Sequence, residues 1–316
     1  MKENLFEHLA EVHAWMPSAC LTTIAPLTPN DRAAYFFAAA KLCEGRGLVV
    51  DAGALLGGTA ICLAEGLKAN KLIDDSVFRG PRPIVSVDLF EVLEENWGDL
   101  YPQMAGLKLG DSFQHLFDFN TRSYSDLIKS QKVDLSKEGF FFDQPIELLC
   151  LDVLKSSVLT ERCFEAFFPN LIPGVSIVLH QDHVHATLPF AISAFDLFQD
   201  ELELIGECVH TAAFRCREPL SIEGVREKFA ANPDWATGPG MLAAIERSIE
   251  RCENAKARLI YRIARALCLR RYFDARSSEQ AFIATLLDER QVLATLSHEE
   301  LQDLQYYFRR FVRWMK

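Results

Sequence analysis

The sequence of 316 residues lacks the features of membrane-spanning, secreted and nucleic-acid-binding proteins. Its apolar runs are far shorter than the roughly 20 residues that are needed to cross a bilayer. Charges at Lys2, Glu3, Glu7 and Glu11 interrupt the N-terminus, so a signal peptide is not expected. Positive charge is in deficit, with 33 Lys and Arg against 44 Asp and Glu and a net charge of −11. We therefore expect a cytoplasmic protein that binds neither a membrane nor nucleic acid.

Closely spaced cysteine pairs are absent as well. The nine cysteines are scattered through apolar surroundings, and none of them stands in a CxxC motif. An odd and scattered set is typical of free thiols in the core of a protein from a reducing compartment. Apolar residues make up 49% of the chain and charged residues 24%, the mixture of an ordinary globular protein. A chain of this length can bury its core without disulfides or a structural metal.

Hydrophobic patterning divides the chain into three segments. Residues 1–45 have the composition of helices, with a helix start at Pro29, and residues 219–316 are rich in helix-forming Ala, Leu, Arg and Glu. Residues 46–218 alternate short apolar runs with helical segments. Such runs are typical of central strands in a parallel sheet that is covered on both faces. They lie at 48–50, 84–87, 146–151 and 175–179, with a weaker run near 127–133.

Two further runs, 202–209 and 211–217, lie almost end to end. Only antiparallel strands can be joined so tightly, because a parallel connection needs a crossover of a dozen or more residues. The sequence therefore predicts an α/β fold of parallel strands closed by an antiparallel hairpin, with helical additions at the N- and C-termini.

The turn after the first strand is the most informative local pattern. Glycines let the backbone pass close to a ligand and adopt positive φ, and the helix that follows presents free N–H groups. The spacing differs from the GxGxxG of dinucleotide-binding enzymes, and a turn shaped only by packing is the alternative. The segment reads Leu48-Val-Val-Asp51-Ala-Gly53-Ala-Leu-Leu-Gly57-Gly58-Thr59.

A second acid supports the ligand-binding interpretation. The strand at 84–87 is followed directly by Asp88. An acid at the tip of the strand after a glycine turn can accept hydrogen bonds from both hydroxyls of a ribose. An aspartate that caps a loop is the alternative, but two acid-tipped strands around one glycine turn are a rarer combination.

These segments resemble the class I S-adenosylmethionine-dependent methyltransferases over residues 46–218. The segment from Asp51 to Thr59 is similar to the family's first motif, and Asp88 stands at its ribose-binding acid. Asp134 stands where the family often contacts adenine, and Pro173-Gly174 is similar to the turn into its fifth strand. The resemblance implies a Rossmann-like sheet that binds S-adenosylmethionine. The implied cofactor-binding residues are Asp51, Gly53, Gly57, Gly58, Thr59, Asp88 and Asp134.

Within this class the chain is most similar to the macrocin-type sugar O-methyltransferases. Those enzymes hold magnesium between acids after the fourth strand and an Asp-Asp pair after the fifth. Here Asp152 stands at the first acid after the fourth strand, but the second acid of that segment is absent. The Asp-Asp pair after the fifth strand is replaced by Gln181-Asp182. Loss of carboxylates weakens a magnesium site. A divalent metal is therefore left open, with Asp152, Asp182 and His183 as candidate ligands.

Polar side chains cluster at the end of the fifth strand, namely His180, Asp182, His183 and His185. They lie at the edge where open α/β sheets bind ligands. A histidine there could take a proton from a substrate hydroxyl, or two histidines and a carboxylate could hold a transition metal. A polar loop that caps the next helix is an equal alternative. Asp152 is the strongest candidate, because it ends a buried strand, and we predict Asp152, His180 and Asp182 as catalytic residues.

The segment 90–110 is either a lid, with Trp97 and Tyr101 over a ligand, or a surface helix, and its spacing favours the helix slightly. The basic stretch 247–271 predicts a solvated helix face, because aromatic residues are sparse there.

The sequence thus predicts methyl transfer from S-adenosylmethionine to a hydroxyl of a small-molecule acceptor, a sugar or another metabolite. An NAD-dependent enzyme is one alternative. A non-catalytic scaffold that binds a partner through its helical tail is another. The oligomeric state stays open, a homo-oligomer included.

Overall fold

A computed structural model describes residues 9–21, 27–73, 83–95, 97–137, 139–207 and 210–296, together with 301, 304, 305, 307 and 309. Its sheet has seven strands in the order β3-β2-β1-β4-β5-β7-β6. The strands are β1 (Leu48–Ala52), β2 (Ile84–Asp88), β3 (Ile128–Lys132), β4 (Ile146–Leu151), β5 (Ile177–His180), β6 (Leu202–Glu207) and β7 (Ala212–Cys216).

The first five strands are parallel, and β7 runs antiparallel to both β5 and β6. Each of the seven coincides with a run that the sequence predicted, including the weak one near 127–133. The fold is therefore a Rossmann-like α/β sheet of parallel strands that is closed by an antiparallel hairpin. This confirms the predicted fold class.

Helices precede, connect and follow the strands. Helix α2 begins at Pro29, as predicted, because Thr28 and Asp31 form a reciprocal capping box in front of it. Short 3₁₀ helices occupy Ser18–Leu21, Pro102–Met104, Arg122–Tyr124 and Phe168–Asn170. The α-helices are α1 (Leu9–Trp15), α2 (Pro29–Lys41), α3 (Gly58–Ala69), α4 (Trp97–Leu100), α5 (Gln114–Thr121), α6 (Ser157–Phe167), α7 (Pro189–Leu197), α8 (Ile222–Ala231), α9 (Gly238–Arg251), α10 (Ala255–Tyr272), α11 (Ala275–Asp288) and α12 (Arg290–Leu293).

Each face of the sheet has its own apolar core. Val49 packs with α2 and α3 on the first face, and Val50 packs with α6, α7 and α8 on the second face. Burial on both faces explains why the central strands β1, β4 and β5 are nearly continuous apolar runs rather than alternating ones. The eight cysteines that the structure describes are free and buried, as expected.

A third core lies among the C-terminal helices. Met241 of α9 and Tyr261 of α10 pack there with Ile192 of α7 and with Val184, which follows β5. The tail therefore contacts the segment that leaves the sheet beside the predicted site. The boundaries at residues 45 and 218 stay predictions. Across the described ranges, no helix has the length and apolar character to cross a membrane.

Candidate functional site

The site lies at the carboxyl edge of β1, β2 and β4, where three strands end at the same level. Ala52 pairs with Val87 on one side and with Leu151 on the other. The hydrogen-bond ladder continues for one more residue, with the Gly53 N–H donating to Val87 and the Asp152 N–H donating to Ala52, both at 2.9 Å. Gly53, Asp88 and Asp152 therefore stand side by side, with Asp51 two residues below them on β1.

The glycine turn is held in a conformation that other residues avoid. Gly53 has a φ of +91°, and a β-carbon there would lie 2.7 Å from the carbonyl oxygen of Asp152. Gly57 has a φ of +92°, and its β-carbon would lie 2.6 Å from Cγ2 of Thr121 in α5. Gly53 is thus needed for the approach of the turn to β4, whereas packing against α5 is sufficient to explain Gly57.

We expect Gly53→Ala to lower the free energy of unfolding by about 2–4 kcal/mol, because it adds both backbone strain and a clash with Asp152. Gly110→Ala is the matched control, since Gly110 has a φ of +84° with no atom within 4 Å of its would-be β-carbon. Denaturant titration measures both variants. Equal losses would show that the contact with Asp152 does not constrain the turn.

Asp88 joins the tip of β2 to the glycine turn. Its carboxylate accepts hydrogen bonds from the N–H of Leu55 at 2.9 Å and of Phe90 at 2.7 Å. Burial raises the pKa of Asp88, and these N–H donors oppose the shift. A carboxylate has about four acceptor positions, and the backbone N–H groups of Phe90, Leu55 and Leu89 all act on this one. Its contact with a ribose diol stays a prediction.

Asp51 is a buried acid beneath that turn. It is 2% exposed, and the hydroxyl of Ser86 donates to its Oδ2 at 3.1 Å. Burial raises the pKa of Asp51 to about 7, with Asp88 and Asp152 adding to the shift. The side chain therefore changes its charge near neutral pH.

This shift gives a pH dependence of stability with a defined sign. A pKa raised from 3.8 to about 7 on folding contributes stability that is complete below pH 3.8 and is lost as the pH rises to 7. We expect Asp51→Asn, which cannot ionise, to melt above wild type at pH 8, by a margin that widens between pH 4 and 7. Thermal melts across this range measure it, and a margin independent of pH would contradict the assignment.

Asp134 stands just beyond β3 and is engaged within its own turn. The N–H and hydroxyl of Ser136 donate to Oδ1 at 3.1 and 2.5 Å, and Lys137 lies 3.1 Å from Oδ2. The Ser136 hydroxyl and the Lys137 ammonium lower the pKa of Asp134. Its contact with adenine stays a prediction.

A lysine joins the two acids that the sequence singled out after β4 and β5. The Nζ of Lys155 lies 2.6 Å from Oδ1 of Asp152 and 2.6 Å from Oδ2 of Asp182. Burial raises the pKa of Asp152 to about 6, against the opposing effect of Lys155. Burial also disfavours ionisation of Asp182, yet Lys155 and His185 hold its pKa well below the usual range. We call Asp152, Lys155 and Asp182 the charged triad.

The three members of the charged triad are partly exposed to solvent. Between 24 and 48% of each side chain is exposed, so solvent reaches all three. Loss of bulk water is nevertheless the largest influence on the pKa of each group. Partial exposure combined with strong desolvation is expected where neighbouring protein atoms displace much of the water around charged groups.

Two tyrosines lie within electrostatic reach of the triad, and Gln181 directly precedes Asp182. Burial raises the pKa of Tyr101, and the charge of Asp152 adds to the shift. Trp97 packs beside Tyr101, with its ring 5.9 Å from that of Tyr101. From α2, the buried hydroxyl of Tyr35 donates to Oε1 of Gln181 at 2.8 Å.

His180 and His183 face away from the charged triad. His180 pairs with Leu151, which points into the second core, and its ring stacks on Phe195 at 5.1 Å. The two Nδ1 atoms lie 3.2 Å apart, and the residues are 1% and 4% exposed. Burial lowers both pKa values, that of His183 to about 3, so both rings are neutral. A proton-accepting role for His180 stays a prediction, and the geometry favours Asp152.

The candidate metal ligands do not fit a metal ion. Lys155 lies between Asp152 and Asp182, and His183 is enclosed by the rings of Phe195 and Phe214. Among the residues that the structure describes, no group of three His, Cys, Asp or Glu side chains could hold a metal. The chemistry of this site therefore has to be derived from the charged triad itself.

Comparison with known proteins gives a structural likeness at low sequence identity. No family model and no curated protein matches the chain. Among solved structures, the chain is similar to a cyclopropane-fatty-acyl-phospholipid synthase-like protein from Lactobacillus casei ATCC 334, with 10% identity and a TM-score of 0.28. The similarity covers 83% of this chain and 92% of that chain. Conclusions about function therefore depend on the sheet order and the side chains described above.

Proposed function

We propose that the protein binds S-adenosylmethionine at the carboxyl edge of β1, β2 and β4. We further propose that it transfers the methyl group to a hydroxyl of a small acceptor, a sugar or another metabolite. The bond from the N–H of Leu55 to Asp88 carries this proposal, because it fixes a glycine turn and an acid-tipped strand against each other at 2.9 Å. Such an arrangement suits a nucleoside whose ribose binds the acid while the rest lies along the turn.

The charge of the site favours this cofactor over NAD. Asp51, Asp88 and Asp152 all have raised pKa values, chiefly because they are desolvated. A cation beside such groups lowers their pKa values and is itself bound more tightly, whereas an anion is repelled. S-adenosylmethionine carries a sulfonium and an ammonium group, while NAD would bring the negative charges of a pyrophosphate to the same turn.

The chain's own groups then have defined tasks. The backbone at Gly53 and the N-terminus of α3, at Gly58 and Thr59, would border the amino-acid part of the cofactor, and Asp88 would hold the ribose. When bound, the cofactor supplies a methyl group that its positively charged sulfur activates. Asp152 orients the acceptor hydroxyl and receives its proton as the oxygen is methylated. A pKa of about 6 keeps Asp152 largely ionised and able to accept that proton near pH 7.

Formation of S-adenosylhomocysteine in the presence of a panel of sugars and other hydroxyl-bearing metabolites tests the proposal. Turnover that requires both the cofactor and one class of acceptor is the expected result. Tight binding of S-adenosylmethionine with no turnover on any acceptor would favour the non-catalytic scaffold. Binding of NAD alone would contradict the proposal and favour the alternative of an NAD-dependent enzyme.

A further inference from the structure

We propose that the ammonium group of Lys155 occupies the position of a divalent cation between Asp152 and Asp182, so that this site holds its acceptor without a metal. The placement of the ammonium concerns the chain alone. The part that concerns the acceptor rests on the proposed methyl transfer.

The geometry of Lys155 is that of a bridging cation rather than a surface ion pair. Its Nζ lies 2.6 Å from one oxygen of each acid, although the acids follow different strands, β4 and β5. Two carboxylates brought this close repel each other unless a positive charge lies between them. Lys155 supplies that charge from within the chain.

The backbone holds Lys155 in this place. Its N–H donates to the carbonyl of Val153 at 2.8 Å, which closes a tight turn after β4. The next residue, Ser156, caps α6 by accepting a hydrogen bond from the N–H of Leu159 at 3.2 Å. The backbone of Lys155 is therefore fixed between the end of β4 and the start of α6.

One hydrogen-bonding position on the ammonium is left for a ligand. A lysine ammonium has three N–H donors, and the two acids take two of them. The lysine side chain is 48% exposed, so the third donor is accessible to a ligand from solvent. This donor can bind the acceptor oxygen that Asp152 deprotonates, which is the positioning task a metal ion would otherwise perform.

Binding of Mn²⁺, followed by electron paramagnetic resonance without cofactor, tests the replacement directly. We expect wild type to bind Mn²⁺ weakly and Lys155→Ala to bind one ion about tenfold more tightly or better, because a positive charge between two carboxylates has been removed. Adding Asp182→Asn to Lys155→Ala should abolish the gain. Lys137→Ala is the matched control, since Lys137 pairs with Asp134 outside the triad, and it should bind Mn²⁺ as wild type does.

Thermal melts show whether each variant is folded. If Lys155→Ala does not fold, Lys155→Met provides a second variant without the positive charge. A folded Lys155 variant that binds Mn²⁺ no more tightly than wild type would overturn the proposal. Because the assay contains no S-adenosylmethionine, its result is independent of whether the methyl-transfer proposal holds.

Discussion

Replacing Asp152 with asparagine is expected to lower the rate of methyl transfer by about 10²- to 10³-fold, the usual effect of losing a general base. Asparagine has nearly the same shape but cannot take up the proton of the acceptor. The affinity for S-adenosylmethionine should fall much less than the rate, because Asp88 and the glycine turn are untouched and only one of the three acids near the cofactor loses its charge. Single-turnover kinetics at saturating cofactor separate the two quantities.

Asp111→Asn is the control for this variant, because Asp111 accepts a hydrogen bond from the N–H of Lys108 within its own turn and has no predicted role in the site. The rate of the chemical step should stay close to that of wild type in this control. A rate for Asp152→Asn within a factor of about three of wild type would mean that another group accepts the proton. His180 would then be the next candidate, and His180→Asn would test it.

The second large effect is expected at Asp88. Asp88→Ala should weaken binding of S-adenosylmethionine by about 10- to 100-fold, because hydrogen bonds to a charged group are lost. The variant also removes the bond that fixes the turn at Leu55. Asp88→Asn keeps one acceptor oxygen and should give an intermediate loss.

Glu91→Gln provides the comparison for both Asp88 variants. Glu91 lies three residues further along the chain and pairs with Lys132 at 2.8 Å, on a partly exposed surface. Its removal should leave the affinity for S-adenosylmethionine unchanged. Equal losses in Glu91→Gln and Asp88→Ala would show that general negative charge, rather than the position of Asp88, attracts the cofactor.

The sheet could be predicted from the sequence because its signals are local. Strands buried on both faces are short continuous apolar runs. The runs 202–209 and 211–217 are so close in the sequence that they can pair only as antiparallel strands. The glycine turn was equally visible, as a set of glycines between a predicted strand and a predicted helix. The structure explains Gly53, which has a positive φ and leaves no room for a β-carbon. Asp51 and Asp88 follow from the same two strands.

The charged triad was not predicted, because it depends on which strands are neighbours. Lys155 stands three residues after Asp152, a spacing visible in the sequence, but its second partner, Asp182, is brought to it only by the pairing of β4 with β5. Tyr35 and Tyr101 reach the site from α2 and from the segment after β2, and no local pattern indicates either contact.

His180 illustrates a different limit. The sequence placed it at the correct edge, but successive side chains in a strand point to opposite faces. Its pairing with Leu151 directs the ring into the second core, and the next residue, Gln181, faces α2 instead. A shift of one residue in register would have exchanged their positions.

The most direct test of the central claim is a calorimetric titration of the wild-type protein with S-adenosylmethionine in the presence of a metal chelator. The account predicts binding of one molecule per chain, which S-adenosylhomocysteine competes for and NAD does not. A folded protein that releases no heat with S-adenosylmethionine, and whose melting temperature this ligand leaves unchanged, would contradict the account.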